Sequence, residues 1–261
     1  MAVGFGSVLR RGALAGVLAG LAAAVAIWLL VEPVIRRALV IEDTRSLHGG
    51  QSAGLPLHGG DEPLVSRSAQ VVGGAVTSVV VGAAVGVVFA VVFARVRGRL
   101  PGRGDFGRSI VLAAVGFGAV TLLPALKIPA NPPAVGDPQT VGRRTTLYAV
   151  VLLLGVAIAV VVPMLDRWLA GRVSLPPTRW ALDVVATVVL VGLVLALVPG
   201  TPDQVPADVP ADVVWDFRLA SLAQLGAMWL TLGLAFGLLM ERSAAAGPRG
   251  ERADAAAPVS A

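Results

Sequence analysis

The 261-residue chain is 56% hydrophobic and 14% charged, with a net charge of +5 and a positive mean hydropathy. A soluble domain carries about 25% charged residues, so lipid must solvate most of this chain. Its arginines lie between apolar runs rather than along one basic face, which argues against nucleic acid as a partner. With no cysteine, disulfides, thiolate metal sites and cysteine nucleophiles are excluded together.

In chain order, the first element is Gly12 to Val31, 20 apolar or small residues without a break. At 1.5 Å per residue such a helix matches the hydrocarbon thickness of a bilayer. It follows Arg10-Arg11 but is longer than the apolar core of a signal peptide, so it reads as a retained span. Five further runs follow, at about 71–94, 109–124, 146–165, 180–198 and 217–240. The third is short and stops at Pro124, which leaves a five-helix count open. From Arg242 to Ala261 the chain is Ala, Pro and charge, and a disordered cytoplasmic tail is expected.

Loop charges test the count. With six spans and both termini cytoplasmic, the inner segments hold 13 of the 21 basic residues and the longer outer loops 8. The loop from Pro199 to Asp216 contains four aspartates and no Lys or Arg. This satisfies the positive-inside rule. The expected fold is an all-α integral membrane protein of about six helices, with residues 12–241 forming one membrane domain. Gly12, Gly16, Gly20 and Ala24 recur at intervals of four, as do Gly74, Ser78, Gly82 and Gly86. Such ladders predict close helix–helix packing.

Catalytic equipment is scarce. The chain has no HExxH, GxSxG or P-loop pattern, so an enzyme or an ATPase is not expected. Asp183 is the one acid inside a run, and Arg179 four residues earlier suggests an i,i+4 ion pair. Ten of the 16 acids fall in the outer loops, where carboxylates could concentrate cations and supply oxygen ligands. The first outer loop repeats Leu-His-Gly-Gly at 47–50 and 57–60. His48 and His58, with Glu42 and Glu62 nearby, form the candidate metal-ligating set, suited to divalent cobalt, nickel or zinc. The alternative is flexible filler.

The third loop, Leu123 to Pro138, holds the only lysine, the only asparagine and five prolines. Proline fixes φ and lacks a donor, so this stretch is expected to be an extended hairpin or re-entrant segment.

The run LPALKIPANPPAVGDPQTVGRRTTLY resembles the signature of the CbtA family of bacterial cobalt transporter subunits. Other pieces agree in order: a small-residue first helix ending in VEP, then EPLVSRSAQ, FARVRGRL and the closing DQVPADVPADVVWDFRLASLAQLGAMWLTLGLAFG. The resemblance covers nearly all of the membrane region, and the proline-rich run is its most specific part. It implies five or six spans in the bacterial cell membrane, Co²⁺ as the transported ion, no resident cofactor, and uptake that serves cobalamin synthesis. It also implies a small one-helix partner, CbtB, whose tail carries histidines. By motif it singles out Glu62, Ser66, Arg67 and Gln70, then Lys127, Asn131 and Asp137, then Asp212, Trp215 and Arg218. The LHGG repeat lies outside the family pattern. The competing expectations are a permease for nickel or another small solute, and a membrane scaffold that does not itself transport.

Overall fold

The computed structural model describes residues 4–52, 66–133, 135–136 and 138–254; for 46–52, Pro138 and 243–254 only the backbone is described. Glu62, His58 and Asp137 lie outside the described residues. The described chain is all helical: α1 (Phe5–Ala26), α2 (Glu32–Ser52), α3 (Arg67–Val96), α4 (Gly104–Gly116), α5 (Leu123–Lys127), α6 (Val141–Ala170), α7 (Pro176–Leu197) and α8 (Ala211–Asp254). A π turn at Ile27–Val31 joins α1 to α2, and another at Phe117–Leu122 joins α4 to α5. Among the described residues six helical stretches are long and apolar enough to cross a membrane, in agreement with the six-span count.

The two π turns explain where the expected spans were too short. Each precedes a proline, Pro33 and Pro124. An α-helical proline clashes with the carbonyl four residues back, here Leu29 and Val120, and both of these lie within the π turns. Widening the turn moves that carbonyl aside, so the helix passes through the proline. The third span therefore runs from Gly104 to Lys127 instead of stopping at Pro124. The first helix continues past Val31 through α2, so the first LHGG copy (47–50) has a helical backbone rather than the expected loop. The last helix likewise extends to Asp254, into the segment expected to be disordered. Glu241 to Ala246 are mostly good helix formers added to an existing helix, which needs no new nucleus.

The chain forms two compact units. The first comprises Met1–Ile27, Val65–Ala114 and Gln224–Ala261. Here α1 and α3 run antiparallel with their backbones in contact. A Cβ built on Gly20 would lie 2.5 Å from the Ser78 carbonyl oxygen, and one on Gly82 2.5 Å from that of Gly16. Gly12 and Gly86 face each other in the same way. The predicted ladders are thus the α1–α3 interface, except at Gly74, where a Cβ would meet nothing within 4 Å. Phe236 of α8 seats edge-on between Phe89 and Phe93, with centroids 5.3 and 5.0 Å away. The Ser109 hydroxyl donates to the Gly233 carbonyl at 2.7 Å. In this unit Asp105 is buried and takes a two-pronged bond from Arg97, at 2.6 and 2.5 Å.

The second unit comprises Trp28–Leu64 and Val115–Ala223. Leu123, Val151 and Val194 make one core, with Ile158, Val191 and Leu195 packed on it. Gly155 lets α6 close onto the Ala119 carbonyl. Almost none of α7 is buried, and its outward side chains are mostly Leu and Val, as a lipid face requires. Trp168 and Trp180, both exposed, stand at the end of α6 and the start of α7. Trp28 and Trp215, also exposed, lie at the end that carries α2. Their positions suit the aromatic belts of a bilayer interface.

Candidate functional site

The polar chemistry of the second unit gathers where the proline-rich segment, the start of α6, the α7–α8 loop and the start of α8 meet. Its hub is Asp203, whose side chain is only 1% exposed. Thr140 donates to one carboxylate oxygen at 2.5 Å. Arg144 donates to the other at 2.7 Å, joined by Asn131 Nδ2 at 3.2 Å and Thr201 at 3.3 Å. The Thr140 hydrogen bond, followed by the bond and charge of Arg144 and the Thr201 bond, holds the Asp203 carboxyl below its ordinary value although burial opposes it. Asp203 is therefore a fixed anion neutralised by Arg144.

The same residues clamp the proline-rich segment. Asn131 spans two partners: its amide nitrogen bonds Asp203, and its oxygen accepts from Arg218 Nη2 at 3.1 Å. Arg218 Nε donates to the Ala130 carbonyl at 3.3 Å. Lys127 reaches the Leu195 carbonyl in the last turn of α7 at 2.7 Å, the end of a helix where a cation is favoured. Gly136 adopts φ +127°, and its absent Cβ would stand 3.1 Å from Arg144 Nη1. Only glycine meets both conditions without strain. Backbone turns from Ile128 to Pro124 and from Val135 to Pro132 complete a stiff, irregular segment, as the prolines predicted from Pro129 onward.

A second set of ion pairs fastens α2 to the start of α8 and the loop before it. Arg37 bonds Asp216 at 2.6 Å and lies 3.8 Å from Asp212. Arg45 grips Asp208 through two nitrogens, each at 2.9 Å. Beneath them Val34, Ala38 and Val213 pack with Ile41 and Phe217. These acids are consequently paired with arginine. They help to fix the shape of this end.

Of the residues expected from sequence, Lys127, Asn131 and Arg218 converge on the proline-rich segment. Asp212 belongs to the α2 strap, and Trp215 is exposed beside it. Ser66 caps α3 through the Ala69 N–H at 3.3 Å, and Arg67 bonds Gln70 at 2.9 Å. Glu42 is exposed on α2, and His48 lies on its helical backbone. Among the described residues no group of three or more His, Cys, Asp or Glu could hold a metal ion. The expected Arg179–Asp183 pair is also corrected: Arg179 turns to Asp166 of α6, 3.8 Å away, because the helix hairpin places a carboxylate across from it. Sequence reading missed Asp203, Thr140 and Arg144 as site residues. Thr140 and Arg144 sit inside the signature run, but nothing local links them to an acid 59 residues or more downstream.

Six apolar spans with a polar, proline-braced end define a multi-pass α-helical membrane protein. The family model described as "Probable cobalt transporter subunit (CbtA)" matches residues 5–241, and the chain belongs to this family. No curated protein and no solved structure matches it.

Proposed function

We propose that this chain is the membrane subunit of a Co²⁺ uptake system in the bacterial cell membrane, with both termini cytoplasmic and with cobalamin synthesis as the purpose. Family membership across 5–241 is the observation that carries the reading. In it, the end built around Asp203 faces outward, and a one-helix, histidine-bearing subunit delivers or receives the ion. The clamped proline-rich segment supports the reading physically. Irregular backbone at membrane depth is tolerated where it lines water or is buried in protein, and Arg144, Arg218 and Lys127 spend their donors holding it in place. The membrane potential supplies about 2.3 kcal/mol per charge per 100 mV, hence about twice that for a divalent cation.

The second reading is a scaffold subunit that positions a partner bearing the metal ligands. It is favoured by the lack of a three-ligand cluster among the described residues. The test is radiolabelled cobalt uptake in importer-deficient cells that express the chain with and without its one-helix partner, and with excess nickel. Saturable uptake that nickel barely reduces supports the cobalt reading. Equal uptake when the partner is expressed without this chain contradicts it and favours delivery by the partner alone.

A further inference from the structure

The arginines of this chain are not answered evenly. In the second unit Arg37, Arg45, Arg144 and Arg179 each face an aspartate. In the first, Arg97 and Arg108 share the buried Asp105. Five others in that unit, Arg10, Arg95, Arg99, Arg103 and Arg242, are exposed, and none of them meets a carboxylate among the described residues.

These five stand at one end of the unit. Arg10 is near the start of α1, and Arg95 is in the last turn of α3. Arg99 and Arg103 lie in the turn between α3 and α4, and Arg242 closes the apolar stretch of α8. Contacts between the elements hold these ends together. Arg11 donates to Met240 Sδ at 3.5 Å, and a Cβ on Gly104 would lie 2.7 Å from Glu241 Oε1. Arg11 is itself half-buried, and among the described residues its hydrogen bond goes to that thioether, a weak acceptor for a guanidinium with five donors. With Asp105 spent on Arg97 and Arg108, Glu241 is the remaining described acid at this end. A group of like charges so short of acids asks for anions from outside the chain.

The neighbouring surface says which anions. Leu14 and Leu18 of α1 and Val88 and Val92 of α3 are exposed apolar side chains. Leu14 is four residues from Arg10 and Val92 three from Arg95, so at 1.5 Å per residue charge gives way to apolar surface within about 5–6 Å. That is the profile of a phospholipid: phosphate above, acyl chain directly below. Clusters of arginine at the end of a spanning helix attract anionic headgroups, and a phosphate accepts the paired N–H groups of a guanidinium. Free phosphate would use the charges and leave the apolar surface unmatched.

We propose that this end of the first unit binds anionic phospholipid, its unanswered arginines taking the phosphates and the exposed α1 and α3 side chains the acyl chains. The proposal goes beyond the uptake reading and does not depend on it.

The full chain, stripped of lipid in a neutral maltoside detergent, is titrated with dioleoylphosphatidylglycerol, with dioleoylphosphatidylcholine or with inorganic phosphate. The melting midpoint, read by tryptophan fluorescence, reports binding because a ligand of the native state stabilises it. Phosphatidylglycerol should raise the wild-type midpoint saturably; the other two should leave it unchanged. Each arginine lost should raise the half-saturating phosphatidylglycerol concentration about fivefold, so the triple variant Arg95→Gln, Arg99→Gln, Arg103→Gln should show no shift in the same range. Without lipid that variant should melt at or above wild type, because these side chains hold no acid in the fold. Arg143→Gln, an exposed arginine of the second unit, should keep the full response. If the triple variant does not fold, Arg99→Gln and Arg103→Gln decide singly: a severalfold weaker response supports the patch, and an unchanged one overturns it. Equal shifts with both lipids, or a triple variant that responds like wild type, overturn the proposal. A shift with inorganic phosphate as large as with phosphatidylglycerol makes the patch a free-anion site and overturns the lipid assignment.

Discussion

Substituting Gly16 by alanine should destabilise the protein, whereas the same change at Gly74 should not. A Cβ at Gly16 would meet the Gly82 carbonyl oxygen, with Ala83 Cα and Gly82 C each only 2.9 Å away. All three are backbone atoms of α3 and cannot rotate aside. Carbon atoms pack at about 3.5–4.0 Å, so α1 and α3 must separate by roughly 0.6–1 Å. A gap of that size forfeits a quarter to a half of each contact well, and Gly20, Gly82 and Gly86 lie on the same seam. Overpacking of this kind costs about 1–3 kcal/mol. At about 2–4 °C per kcal/mol for a chain of this size, the melting midpoint in detergent should fall by roughly 2–12 °C. Gly74→Ala adds a methyl where nothing lies within 4 Å and gains helix propensity, so its midpoint should match or exceed wild type. The midpoints are read by tryptophan fluorescence on both variants. Gly16→Ala melting at or above Gly74→Ala would refute the close-packed seam.

Three further outcomes follow from the ion pairs. Asp203→Asn leaves Arg144 facing a neutral amide and should cost about 3 kcal/mol or more, measured by thermal unfolding, because the Asp203 carboxylate is almost wholly buried. Since the folded value of Asp203 lies below its ordinary 3.8, its contribution is complete above that pH and lost as pH falls through the folded value. Wild type should therefore lose stability below about pH 4, and an acid titration of the melting midpoint should show that loss reduced in Asp203→Asn. Asp183→Asn, by contrast, should leave stability within about 0.5 kcal/mol of wild type or raise it, because Arg179 pairs with Asp166. A clear loss in the same unfolding assay would restore the Arg179–Asp183 pair.

The spans were legible in sequence because lipid demands long apolar runs, and the α1–α3 seam was legible because small residues recur at intervals of four. The ends of the helices were not. Pro33 and Pro124 are local stop signals, and only the π turns before them let the helix continue. Proline alone reads as a stop signal, so the continuation of the helix through it is visible only in the structure. Lys127, Asn131 and Arg218 were found through the signature runs, but their partners were hidden. Asn131 is 72 residues from Asp203, and Arg37 is 179 from Asp216. A count of loop acids sees only charge on one side of a membrane. The fold reveals that each of Asp203, Asp208 and Asp216 answers a particular arginine.

The central claim is that this chain, with its one-helix partner, carries Co²⁺ across a membrane. The most direct test is radiolabelled cobalt flux into proteoliposomes that hold both purified proteins, under an inside-negative potassium diffusion potential. Saturable accumulation that grows with the imposed potential, and is absent from vesicles holding the partner alone, is the expected result. Accumulation no greater than that of partner-only vesicles, with both proteins inserted, would contradict it.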